Sequence, residues 1–245
     1  MPARHDQVTD PTLAAALLTA RRGTAYFTRK LAELSDDDFT GPSLLPGWTR
    51  AHVIAHVGYN ARALTRLLEW ASTGVETPMY STAEQRAWEI ESGATLKPIA
   101  LRHLIAHSTV HLNVEWRDLP EPAWQAQVRT AQGRIVPASE TVWMRTREVW
   151  IHAIDLNNGG RFDDAPPGLI DSLISDVIAG WRRRGTLPDL VLAATDRTTP
   201  TPVGDGSQPI TVSGTAPDLL RWATGRGRIG ITTSAGSIPD PPAWL

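Results

Sequence analysis

Four long stretches of helical periodicity lie between residues 11 and 156, and they constrain the fold more than any other feature of the chain. Asp10-Pro11 reads as a cap followed by proline in the first turn, and apolar residues then recur from Leu13, Leu17 and Leu18 to Phe27, Leu31 and Leu34. After the polar Ser35-Asp-Asp-Asp segment, Pro46-Gly47 predicts a turn. Thr49 predicts the cap of a second helix through Val53, Val57, Leu64, Leu67 and Trp70. A shorter helix is expected over 82–90. The third long helix starts at Pro98, carries Leu101, Leu104, Ile105, Leu112 and Trp116, and must stop before Pro120 and Pro122. Residues 127–137 read as an extended excursion around Gly133. The fourth opens near Pro137-Ala-Ser and ends at Asn157-Asn-Gly-Gly, a sequence suited to a helix C-cap. Variable connections between four such helices predict a four-helix bundle over residues 1–160.

The pattern changes at Arg161. A helix from Pro166-Pro167 through Leu169, Leu173, Val177 and Trp181 closes on Arg182-Arg-Arg-Gly185, with cations and glycine at the end that favours them. Leu190-Val-Leu-Ala-Ala-Thr and Pro209-Ile-Thr-Val-Ser read as short strands, Thr215 to Thr224 as a brief helix, and Ile229-Gly-Ile-Thr as a further strand. Residues 161–245 are thus expected to form a smaller α/β domain, making the whole chain α+β and multidomain. The Pro-rich Ile238-Pro-Asp-Pro-Pro-Ala tail is expected to run extended along the surface, and no repeat of fixed period appears.

Charge and composition narrow the function. Lys+Arg 24 against Asp+Glu 26 gives a formal charge of −2, which argues against a basic nucleic-acid binder and offers no pull toward anionic membranes. Small molecules are the expected partners, and a monomer suffices. No run approaches the ~20 apolar residues of a membrane span, and Met1-Pro-Ala-Arg-His-Asp lacks an apolar signal core, so a cytoplasmic location is expected. The absence of cysteine excludes disulfides, thiolate-ligated metals and a protein nucleophile of that kind. Any thiol chemistry would use a borrowed thiol. Lysine is confined to Lys30 and Lys97, neither in an apolar setting, which disfavours Schiff-base catalysis.

Six of the 7 histidines fall on predicted bundle helices: His52 and His56 on the second, His103, His107 and His111 on the third, His152 on the fourth. Residues four apart share a helix face, so Glu148 and His152 stand one turn apart and are able to hold one ion between them. A third ligand must come from another helix, and His52 and His56 are the available nitrogens. Two imidazoles and a carboxylate suit zinc and leave a fourth position open, as in catalytic rather than structural zinc sites. The plain alternative is a polar pair on a solvated stripe, and the His103/His107/His111 stripe is a rival that spacing alone does not eliminate.

Other features carry less. Gly225-Arg-Gly-Arg-Ile-Gly follows a short helix rather than opening one, so a dinucleotide-binding or phosphate-loop reading fails on context. Arg226, flanked by glycines that let a ligand approach, suits a bidentate pair with a carboxylate; it equally suits capping of helix carbonyls. Trp143 and Trp150 read as core, and Asp155 as either an orienting acceptor for His152 or a solvated acid.

Taken jointly, several segments resemble one family, the mycothiol-dependent maleylpyruvate isomerases. They are Leu45-Pro-Gly-Trp-Thr-Arg-Ala-His-Val-Ile-Ala-His56-Val-Gly-Tyr-Asn, Thr130-Ala-Gln-Gly-Arg-Ile-Val-Pro-Ala-Ser-Glu, Trp143-Met-Arg-Thr-Arg-Glu148-Val-Trp-Ile-His152-Ala-Ile-Asp-Leu, Ala223-Thr-Gly-Arg226-Gly and Pro241-Pro-Ala-Trp-Leu. The resemblance spans nearly the whole chain. It implies an N-terminal DinB-like metal-binding four-helix bundle and a smaller C-terminal α/β domain. It also implies a metal, Zn2+, held by His56, Glu148 and His152, and a functional arginine at Arg226, while giving no role to His52 or to the third-helix stripe. The implied activity is cis–trans isomerisation of maleylpyruvate to fumarylpyruvate in gentisate breakdown, with mycothiol as the thiol cofactor adding to and leaving the double bond. The lack of cysteine agrees with that. A mycothiol S-transferase using the same metal site and a non-catalytic metal-binding module are the alternatives.

Overall fold

The computed structural model describes residues 5–244, which form two compact units dividing between Gly160 and Arg161. In the first unit, α1 (Pro11–Ala32), α2 (Arg50–Thr73), α3 (Ala83–Ala94), α4 (Pro98–Asp118) and α5 (Glu140–Asp155) supply the helices. The capping signals act as expected. Asp10 Oδ1 accepts from the Thr12 N–H at 2.8 Å and proline opens α1 and α4; Thr82, not read as a cap from the sequence, also caps α3, its Oγ1 accepting from the Gln85 N–H at 3.1 Å. Gly47 takes φ 79° in the turn before α2, and Gly133 takes φ 79° between the antiparallel strands β1 (Gln127–Arg129) and β2 (Ile135–Pro137).

Helix α2 packs chiefly on α4, α1 on α5, and α2 also on α5, so α2 and α5 are neighbours across the bundle. Between them the four long helices bury Leu17, Leu64, Leu67, Leu68, Leu112, Trp116 and Val142. Trp150 is also core, as expected: it stacks on Tyr26 with ring centroids 5.2 Å apart and donates to the Thr19 carbonyl. Among the described residues no helix is long and apolar enough to cross a membrane.

The second unit opens with α6 (Pro167–Arg183), which ends at Gly185 with φ 66°. Its sheet has the order β4-β3-β5-β6, from β3 (Leu190–Ala194), β4 (Thr201–Pro202), β5 (Ile210–Gly214) and β6 (Thr232–Thr233). The central pair β3–β5 is parallel, and the outer pairs are antiparallel. Helix α7 (Ala216–Ala223), capped by Thr215, packs on α6. The chain is therefore α+β, a helical part followed by a small α/β part.

One expectation needs correction. The last strand is Thr232–Thr233 and not Ile229–Thr232, because Gly230 turns the backbone at φ 77° and the Ile231 N–H closes that turn on the Arg228 carbonyl. The Pro-rich tail runs without regular structure along the surface, as expected, and is pinned there. Trp222 Nε1 donates to the Pro239 carbonyl at 2.9 Å, Trp181 Nε1 donates to that of Pro242 at 3.0 Å, and Trp244 is buried.

Candidate metal centre

Periodicity places Glu148 and His152 on one face of α5, and α2 presents His56 to that face. All three are buried, with ligating atoms within 4.8 Å of one another, the one such grouping of three among the described residues. Glu148 Oε2 is the shared vertex. It lies 2.8 Å from His56 Nε2 and 3.1 Å from His152 Nε2. Tetrahedral bonds to nitrogen and oxygen set donor atoms about 3.3 Å apart, so the two pairs that share Glu148 Oε2 already stand near the spacing of a metal-ligand set. The donor chemistry and the spacing both fit a zinc-like cation.

The residues behind the ligands differ. Asp155, fully buried one turn beyond His152, takes a hydrogen bond from His152 Nδ1 at 2.8 Å and so points Nε2 toward Glu148. This settles the choice for Asp155 in favour of an orienting acceptor. His56 Nδ1 is buried with no hydrogen-bond partner, and its ring is held instead against Trp48, 5.6 Å away between centroids. His152 is thus the better oriented and more basic of the two imidazoles.

Electrostatics sharpen that contrast. Burial opposes charge on His152, but the hydrogen bonds to Asp155 and Glu148 outweigh it and raise its pKa to about 8. For His56 burial wins over Glu148, and its pKa falls below the ordinary value. Burial also works against a charged Glu148, yet the bonds from His152 and His56 hold its carboxyl well below the usual range. The metal-free cluster is therefore an imidazolium and a carboxylate with a neutral His56 beside them.

The rival histidines are placed elsewhere. His52 is the third residue of α2, where its Nδ1 accepts from the Thr49 N–H at 3.2 Å and completes a capping box. Its Nε2 faces Glu91 across 3.4 Å. His103, His107 and His111 are exposed along α4, the last paired with Glu115. In the second unit, Arg226 follows α7 between Gly225 and Gly227, both with positive φ. Its side chain donates to the Thr224 carbonyl, a helix-end cap, and lies over the Trp244 ring at 5.3 Å.

Sequence reading missed two groups that feel the charge of Glu148, the buried Arg145 and the half-buried Tyr80. Arg145, one turn before Glu148, donates from Nη1 to the Val57 carbonyl and to Asn60 Oδ1 of α2. Tyr80, in the connection after α2, has its pKa pushed up to about 12 by burial, with Arg86 opposing and Glu148 adding to the rise. A signal for Arg145 existed: it shares the helical face of Glu148 and His152.

Comparison with known proteins gives a concordant result. Residues 20–157 match the model of the mycothiol maleylpyruvate isomerase N-terminal domain, and residues 164–242 match that of the MDMPI C-terminal domain. A crystal structure of the mycothiol-dependent maleylpyruvate isomerase is 47% identical, with TM-score 0.92 over 95% of this chain and 97% of that one. A histidine-to-alanine mutant of such an enzyme is 46% identical, with TM-score 0.91 over the same shares. A search of curated proteins returns no match. With both domain models matched in order and both crystal structures covered almost end to end, the chain belongs to the mycothiol maleylpyruvate isomerase family.

Proposed function

We propose that this protein isomerises maleylpyruvate to fumarylpyruvate, a step of gentisate breakdown, using mycothiol and a zinc ion held by His56, Glu148 and His152. The observation that carries the reading is the buried His56/Glu148/His152 cluster in a chain of this family that has no cysteine of its own. When bound, zinc and mycothiol supply a thiol that deprotonates readily beside the cation, adds to the activated double bond and leaves after rotation about the resulting single bond. Glu148 brings the negative charge that balances a dication in a buried place. Asp155 keeps the Nδ1 proton on His152 and so keeps Nε2 free to ligate. Arg226 is assigned to a substrate carboxylate or to the enolate oxygen that carries charge once the double bond is saturated.

Two consequences follow from the cluster's protons. Because His152 has a pKa of about 8 without metal, roughly nine-tenths of the chains carry its Nε2 proton near pH 7, and ligation must displace it. Zinc binding is expected to release about one proton there and almost none near pH 9, read by calorimetry in buffers of different ionisation enthalpy. The same raised pKa stabilises the metal-free fold fully below the ordinary 6.5 and less as pH rises through about 8. Asp155→Asn is expected to weaken zinc about 10- to 100-fold, in competition with a chromogenic chelator.

Ultraviolet time courses with maleylpyruvate, with and without mycothiol, test the function on zinc-loaded protein. Thiol-dependent formation of fumarylpyruvate, slowed strongly by Arg226→Ala, is expected. A product heavier by the mass of the thiol would instead make the protein a transferase, and bound zinc without turnover of any electrophile would make it a binding module.

A further inference from the structure

Arg145 is a buried charge in direct contact with no carboxylate of the described residues, and Glu148, one turn on, acts on it only through space. It is 1% exposed, its hydrogen bonds go to a carbonyl and an amide oxygen, and no carboxylate of the described residues lies within ion-pair distance of it. Leaving a buried charge unpaired is costly, and burial, with Glu148 opposing, lowers its pKa only to about 10, so it stays cationic at neutral pH. A second buried donor lies nearby: Thr109 Oγ1 of α4 has no hydrogen-bond partner. Both residues line a cavity of about 530 Å3 between α1 and α4, walled largely by apolar groups that include Leu112 and Trp116. No residue of the metal cluster lines it.

A buried cation outside ion-pair distance of any described carboxylate and an unpartnered hydroxyl, both beside an otherwise apolar cavity of this size, define a ligand type. We propose that the cavity is a second binding site, for a small organic acid with an apolar body. Its carboxylate is held by the Arg145 guanidinium and by the Thr109 hydroxyl, which is enclosed in the free protein and turns toward the ligand, and its body lies against Leu112 and Trp116. A neutral molecule of the same shape leaves the buried guanidinium unpaired, and an inorganic anion leaves the apolar wall uncovered. The site prefers a ligand that does both.

Benzoate, benzyl alcohol and chloride are suitable probes, titrated calorimetrically into the full-length, zinc-loaded protein. Saturable binding of one benzoate is expected, at least about tenfold tighter than benzyl alcohol, and weakened about tenfold by Thr109→Val. Ala25 and Thr28 are exposed and line the cavity, so Ala25→Trp, or Thr28→Trp should the first not fold, is expected to abolish binding with zinc content unchanged. His56→Ala is expected to leave benzoate binding intact. Absence of saturable binding, equal binding of benzyl alcohol, or displacement of benzoate by equimolar chloride would each overturn the proposal. So would loss of binding in His56→Ala with retention in Ala25→Trp, which would move the carboxylate to the metal centre.

Discussion

Glu148→Gln is expected to abolish stoichiometric zinc binding and to cut thiol-dependent turnover at least about a hundredfold. The side chain keeps its shape, so the bundle keeps its packing and the loss isolates chemistry. What disappears is the one anionic ligand, whose Oε2 joins His56 and His152 and whose pKa both imidazoles hold down. An amide oxygen is a poor ligand for a dication in a buried site, and two imidazoles alone leave its charge uncompensated. Without the cation, a free thiol of pKa about 8.5 is only a few per cent ionised near pH 7, a penalty of roughly 30-fold before any loss of positioning. Zinc content by atomic absorption and initial rates on one sample make the check. A variant that retains a full equivalent of zinc, or a tenth of the wild-type rate, would remove Glu148 from the role assigned to it.

How much of this was legible beforehand depends on the range of the forces involved. Helix boundaries rest on local signals, and Asp10-Pro11, Thr82, Pro98 and Gly185 each act within a turn of the backbone they cap. The pairing of Glu148 with His152 is equally local. Choosing His56 over His52 is not, because both lie on α2 one turn apart, and geometry decides between them only when α5 packs alongside. The resemblance made that choice, and the geometry agrees with it: His52 Nδ1 caps its own helix, while His56 meets Glu148 of α5. Arg145 escaped notice because an arginine reads as a surface residue until the helices around it are placed. The anchoring of the tail escaped for a similar reason. A stretch such as Ile238-Pro-Asp-Pro-Pro has no periodicity, and its anchoring depends on two indole N–H groups contributed by α6 and α7.

That anchoring leads to the second large effect. Trp181 is fully buried, meets Trp222 edge-on at 6.3 Å between ring centroids, and ties down the tail through Pro242. Truncating a buried tryptophan costs about 3–5 kcal/mol. A unit the size of residues 161–245 has roughly 4–13 kcal/mol in all, at about 0.05–0.15 kcal/mol per residue. Trp181→Ala therefore removes a large share of what holds the second unit together. Its unfolding transition is expected to fall by more than about 10 °C in calorimetry, separating from that of the helical unit. Arg226 depends on the same packing: its backbone N–H closes the end of α7 on the Arg221 carbonyl, and its guanidinium lies over Trp244. Near the lowered transition, turnover is expected to vanish while zinc content stays at one equivalent, since the three ligands lie on α2 and α5. Turnover that survives melting of the second unit would mean that Arg226 plays no part in the reaction, and that the helical unit with its metal is sufficient.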